Sequence, residues 1–157
     1  LDARGRWYLR DAAAQALGAF GSGVPGARGA VLRHDKLIDF IGRNYEADEQ
    51  GQWFFQNGPQ RVYVELERTP WVWRVHADGQ VLTHTGLPAT VQGLWLDEAG
   101  RVYLQADRGI GLVHSQDVVL VAAAIEQGRW SPQSIMAAEV PARFGFVQSP
   151  ERRSGAA

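Results

Sequence analysis

Three short windows of the chain repeat one pattern, and that repetition limits the fold more than any other feature. They are Asp2–Arg10 (DARGRWYLR), Asp48–Gln56 (DEQGQWFFQ) and Asp97–Gln105 (DEAGRVYLQ). Each has Asp first and Gly fourth, then Arg or Gln, three apolar residues, and Arg or Gln again. Asp-x-x-Gly is turn chemistry, because Asp bonds its own backbone and Gly adopts positive φ. The apolar triplet after it reads as the start of a core strand. A second correspondence follows the same order. Gly29–Ile41 (GAVLRHDKLIDFI) and Gly111–Ala123 (GLVHSQDVVLVAA) align Gly29 with Gly111, Val31 with Val113 and Asp35 with Asp117. Both read as a strand running into a capped apolar helix. The unit is strand, hairpin, strand, helix, with too few copies to form a solenoid.

Further hairpins fill the interval. Asn57-Gly58 separates two apolar runs, a strong hairpin signal, and the alternation puts Val62, Val64 and Leu66 on a core face. Asp78-Gly79 repeats this after a strand carrying Trp71, Trp73 and Val75 on one face, and Gly100 does so before Arg101–Gln105. Helices are expected at 35–45 with Asp35 as cap, and after Ser115 or Asp117 with Gly128 as terminator. A short one is expected within 11–21. The predicted class is α+β: a twisted, mainly antiparallel sheet with two to three helices. One compact domain is expected over 1–148, in units of about 1–46, 47–95 and 96–130, followed by a disordered tail at 149–157.

The residues Gly5–Arg10, then Leu32–Val75, then Gly109–Glu126 resemble an uncharacterised bacterial domain-of-unknown-function family. In that order a Gly-x-Trp-aromatic strand precedes a helix, a second Gly-x-aromatic strand follows, then a Pro-aromatic-Val strand, and a Gly-Leu strand leads into a last helix. The resemblance spans most of residues 2–126. It implies an α+β fold with structurally repeated halves and a signalling role, and it transfers no catalytic residue. The Ala/Gly-rich insertion at 12–28 and the Trp-rich middle depart from the pattern.

Composition narrows the functional classes. The 157 residues carry a net charge of −1, and the basic residues are scattered, with one dense pair at Arg152–Arg153. That excludes the clustered charge of a nucleic-acid grip or an anionic membrane surface. Cysteine is absent, so disulfides, thiolate metal sites and cysteine nucleophiles are excluded. The first ten residues lack the apolar run of a signal peptide and begin without Met, and a cytoplasmic location is the expectation. His34, His76, His84 and His114 show no zinc-site spacing, so no metal and no cofactor is assigned.

His114, Ser115 and Asp117 have the residue types of a catalytic triad. Adjacent strand residues point to opposite faces, so capping is the better role and no catalytic residue is assigned. The Gly-rich segment 18–30 lacks the lysine of a phosphate-binding loop and reads as a flexible loop, a lid whose Arg28 and Arg33 would meet an anion. The six tryptophans read as core, with Trp71 and Trp73 as an aromatic platform in the alternative that their strand is an edge. The ligand- or partner-binding candidates are Trp71, Trp73, Arg74, Arg28, Arg33, His84 and His114. The leading expectation is a non-catalytic binding or regulatory domain for a small ligand or protein partner. The alternatives are a small hydrolase using His114 and a carboxylate, and an oligomerising module in which the Trp71–Val75 strand pairs with a second copy to form a homodimer.

Overall fold

The computed structural model describes residues 1–150. In chain order the elements are β1 (Tyr8–Leu9), α1 (Ala12–Leu17), β2 (Ala30–Val31), α2 (Asp35–Arg43), β3 (Tyr45–Ala47), β4 (Trp53–Asn57), β5 (Gln60–Tyr63) and β6 (Trp71–Val75). They continue as β7 (Val81–Thr83), β8 (Pro88–Ala89), β9 (Val91–Leu96), β10 (Val102–Ala106), β11 (Gly109–Val113), α3 (Val118–Glu126), β12 (Pro132–Ser134) and α4 (Val140–Phe144). The class is α+β as expected. The described residues form four α-helices where two to three were expected; α4, only five residues long, has no apolar periodicity to announce it.

The chain forms two units. The first comprises Leu1–Asp2, Arg6–Arg68 and the chain from Phe146; the second comprises Ala3–Gly5 and Thr69–Gly145. In the first unit β1 pairs with β2, and β3, β4 and β5 form an antiparallel sheet. Ser149 donates to both carboxylate oxygens of Glu65 at 2.8 and 2.9 Å, and Pro150 is buried. Of the tail expected to be disordered, 151–157 lies outside the described residues.

The second unit is a seven-stranded sheet in the order β12-β9-β10-β11-β6-β7-β8. All its pairings are antiparallel except β11 with β6 and β12 with β9. Parallel pairs join strands far apart in sequence, which hairpin signals do not reveal. β6 therefore lies between β11 and β7, and the sheet edges are β12 and β8. This corrects the reading of Trp71–Val75 as an edge strand for a second copy. Both faces of β6 are covered: Trp71, Val72, Trp73 and Val75 are buried and Arg74 alone is exposed.

The echo is a hydrogen-bonded turn. Asp48 N–H donates to the Gln52 carbonyl at 2.8 Å, and Gly51 N–H to the Asp48 carbonyl at 3.2 Å. Asp97 repeats this with Arg101 and Gly100, and Asp2 N–H donates to the Arg6 carbonyl. Two further loops close the same way: His76 with Gln80 and Gly79, and Thr83 with Leu87 and Gly86. Gly at the fourth position has φ between 79 and 92 in all five. This is a type I turn closed by a left-handed residue, the usual three-residue hairpin loop. Thr83 imitates the aspartates, since its hydroxyl accepts from Leu87 N–H at 2.9 Å where Asp97 Oδ1 accepts from Arg101 N–H.

Several local expectations shift by a residue or two. The β4–β5 hairpin forms as expected, but Asn57 pairs with Gln60, so the loop is Gly58-Pro59. Gly58 takes φ 57 at the first loop position, and Pro59 falls where its missing N–H costs no ladder bond. Val64 and Leu66 are buried as expected, while Val62 is 37 % exposed. α2 is capped by His34, whose Nδ1 accepts from Leu37 N–H, so Asp35 is the first helical residue. α3 follows a single 3-10 turn over Ser115–Asp117 that His114 caps. Asp117 caps nothing: it is buried and turned toward β6.

Candidate functional site

The first unit contains a cavity of about 400 Å³. Its walls come from β1, the loop after α1, α2 and the β4–β5 hairpin. Each wall is explained locally. Asp11 caps α1 by accepting from Ala14 N–H at 2.8 Å, so the chain turns sharply after β1. Loop 18–30 is a chain of tight turns, Ser22 to Ala19, Ala27 to Val24 and Gly29 to Gly26, rather than an open coil. Arg10 ties both ends of this loop to β1: its Nε donates to the Ala27 carbonyl at 2.7 Å and Nη2 to the Gly18 carbonyl. Phe20 and Ala27 are thereby buried, each 1 % exposed. The loop expected to be flexible is anchored by these bonds and by the Arg28–Glu67 ion pair at 2.7 Å.

The lining is chiefly apolar and aromatic: Trp7, Tyr8, Phe20, Ile41, Phe55 and Tyr63 among others. Its polar members are few. Tyr8 and Tyr63 give their hydroxyls to Asp2 and Asp48, at 3.1 and 3.3 Å. Gln15 donates to the Arg10 carbonyl at 3.2 Å. Glu65 holds Ser149, and Arg10 supplies the positive charge.

A second cavity of about 520 Å³ lies in the second unit and has a different character. Arg74, His76, Thr83, His84 and Asp117 border it, with Leu82 and Leu120. Arg74 Nε donates to Asp117 Oδ2 at 2.8 Å, and Val75 N–H donates to the same oxygen at 3.0 Å. Burial alone would raise the Asp117 pKa. The Arg74 guanidinium and the Val75 amide outweigh it and hold the carboxyl below its ordinary value. Arg74 is raised by the same bond. His84 Nδ1 accepts from Val72 N–H at 3.1 Å, and its ring packs 5.7 Å from Trp71.

The residues singled out from the sequence therefore scatter. Arg74 and His84 share the second cavity. His114 is buried, with Nδ1 accepting from Gln116 N–H at 3.1 Å, and serves as a cap. Trp71 and Trp73 are 5 % and 0 % exposed, so they build the core instead of a platform. Arg28 pairs with Glu67 and covers the Phe20 ring at 5.2 Å; Arg33 is exposed. Neither lines either of these two cavities. Among the described residues no group of three His, Asp or Glu could hold a metal, and no helix is long and apolar enough to cross a membrane.

Arg10, Phe20 and Phe55 were missed. One signal existed for Arg10. The last position of the echo is Gln56 and Gln105 in the other copies, so the first copy alone places a charge there.

The chain is similar to two solved structures. A DUF1285 family protein from Shewanella baltica OS155 is 17% identical over 78% of this chain and 87% of its own, with TM-score 0.49. A DUF1285 family protein from Silicibacter pomeroyi DSS-3 is 14% identical over 60% of each chain, with TM-score 0.45. No curated protein matches the chain. The family model DUF2944, described as "Protein of unknown function (DUF2946)", matches residues 1–151, and the chain belongs to that family of uncharacterised proteins.

Proposed function

We propose that the chain is a binding domain and that the cavity of its first unit takes a small, largely apolar organic molecule. One observation carries this reading: about 400 Å³ of space walled by aromatic and aliphatic side chains with few polar groups among them. Ligand sites have this size and composition, and filling such a space removes apolar surface from water. The second cavity supports it less, because its charged pair is already engaged. The reading involves no chemical step, so occupancy itself is the output, which is what a regulatory domain requires.

A thermal-shift screen of apolar and amphiphilic metabolites tests it. A ligand at a hundred times its dissociation constant adds about 2.7 kcal/mol to the state that binds it, which corresponds to several degrees for a chain of this size. Leu32→Trp places a large ring in the cavity wall and should abolish the shift. A flat screen, or an equal shift in the Leu32→Trp variant, would sink the assignment.

A further inference from the structure

We infer that the first-unit cavity selects an uncharged, flat aromatic molecule of about two fused rings, stacked on Phe55. The inference rests on the reading of that cavity as a binding site and names the chemistry it takes.

The lack of charge follows from the polar side chains of the lining, each of which already has a partner. Arg10 donates to the Ala27 and Gly18 carbonyls. Both Glu65 oxygens accept from Ser149 Oγ. Gln15 donates to the Arg10 carbonyl, and the Tyr8 and Tyr63 hydroxyls donate to Asp2 and Asp48. These bonds hold the walls together. A carboxylate or ammonium group on the ligand would shed its hydration and gain a counter-charge only by breaking one of them. An uncharged molecule incurs neither cost. What the cavity offers instead is apolar surface, including the exposed side chains of Leu9, Val62 and Tyr63 at its border.

The aromatic character follows from the rings. Five line the cavity, and four of them are matched. Trp7 meets Tyr45 edge to face with centroids 5.1 Å apart, Tyr8 meets Phe20 in the same way at 5.5 Å, and Tyr63 lies 5.7 Å from Phe54. Among the described residues Phe55 has no ring partner, and it sits half-buried in the cavity wall. A ring laid on Phe55 supplies the contact that the other four already have, and such a contact stabilises beyond the area it covers. Loop 18–30 fixes its wall by its own turns, so a flat molecule enters without changing shape, whereas an alkyl chain of equal bulk gives up rotamer freedom. At about 30 Å³ for a water-sized group, the cavity holds roughly a dozen non-hydrogen atoms, the bulk of two fused rings with one substituent.

Calorimetric titration at pH 7.5 with 1-naphthol, 1-naphthoate, 1-naphthylmethylamine and 1-decanol tests both parts. The naphthyl compounds share their rings and differ in charge, and decanol matches naphthol in bulk but is a flexible chain. Wild-type protein should bind naphthol at least about tenfold more tightly than naphthoate or naphthylmethylamine, and about fivefold more tightly than decanol. Phe55→Leu keeps apolar bulk without the ring; it should erase the advantage of naphthol over decanol and leave the discrimination against charge. Phe55→Tyr keeps the ring and should keep the advantage, which separates loss of stacking from a distorted β4. Tightest binding of naphthoate or naphthylmethylamine overturns the inference. So does wild-type binding of decanol as tight as that of naphthol, or an advantage of naphthol that survives Phe55→Leu. Binding of decanol without naphthol keeps the cavity as a site and removes its aromatic class, whereas failure of all four to bind overturns both levels of the proposal.

Discussion

Replacing Trp73 by Ala is expected to destabilise the second unit by about 3–5 kcal/mol, a large share of the roughly 5–15 kcal/mol that holds a domain together. Trp73 is 0 % exposed in an interior strand and stacks on Trp71 with ring centroids 6.3 Å apart. Its indole N–H donates to the Leu104 carbonyl at 2.7 Å. The neighbouring strand is shaped to receive it: a Cβ at Gly111 would lie 2.5 Å from Trp73 Nε1. Truncation leaves a cavity that this close-packed sheet cannot collapse to fill, and it leaves a buried carbonyl without its donor. Trp73→Phe keeps most of the apolar contact but not the donor, so it should cost less, about 1–3 kcal/mol. Urea titration followed by near-ultraviolet circular dichroism separates the two. If Trp73→Ala moved the midpoint no further than Trp73→Phe, the packing account would be wrong.

The second large effect concerns Asp97 and has a pH signature. Its side chain is wholly buried within the β9–β10 turn. It accepts from the Ala99 and Arg101 amides at 2.9 Å, from Arg101 Nη1 at 2.8 Å and from the Tyr103 hydroxyl at 2.8 Å. Burial by itself would raise this carboxyl. The bonds from Arg101, Tyr103 and the backbone outweigh it, and its pKa sits below the ordinary value. Asp97→Ala removes the carboxylate that accepts from Tyr103, Arg101 and two turn amides and leaves the Arg101 charge without its ion pair, a loss on the order of 3 kcal/mol. A depressed carboxyl contributes stability above its unfolded pKa of about 3.9, and that contribution is lost as pH falls through the lower folded value. Wild-type protein should therefore lose stability as pH falls below about 4, and Asp97→Asn should show less of that loss. Asp117 is depressed in the same direction, so the Asp97→Asn/Asp117→Asn pair should be flatter still. A pH dependence identical in wild type and the double variant would refute this assignment. Asp48 offers the contrast. Its equivalent contacts are longer, 3.4 Å to Gln52 Nε2 and 3.3 Å to the Tyr63 hydroxyl, and it is half-buried, so Asp48→Asn should cost less.

The three echoes share a turn but not an environment. In β10, an interior strand of the seven-stranded sheet, the triplet Val102, Tyr103 and Leu104 is buried throughout. In β4 the middle residue Phe54 is buried while Trp53 and Phe55 are half-buried. In the first copy Trp7 is buried, the middle residue Tyr8 half-buried and the last residue Leu9 55 % exposed. The same local device thus builds an interior strand, a strand of a small sheet and a two-residue edge. Burial is a property of the neighbours that a strand acquires, which explains why apolar alternation overstated the cover on Val62.

The candidate site was less legible than the fold for the same reason. His114 and Asp117 drew attention as catalytic types, but backbone geometry employs His114 as a cap, and the buried carboxylate of Asp117 required Arg74. Trp71 and Trp73 stood out for their size, and an interior strand absorbed them. Arg10 is only the last position of the echo, with no catalytic or binding motif around it. Its significance comes from Gly18 and Ala27, brought to its side by a loop whose glycines read as flexibility.

What the amino-acid order determined by itself is local: the Asp-x-x-Gly turns, the hairpins they close, and the helices at 35–43 and 118–126. These depend on contacts within a few residues, where Asp, Gly and helix caps act directly on the backbone. What tertiary structure alone decided is non-local: β11 beside β6, the partition into two units, and the apolar cavity walled by β1, loop 18–30, α2 and the β4–β5 hairpin. Each depends on which distant surfaces exclude water together. That choice is made by the summed burial of many side chains, and no short stretch of sequence contains it.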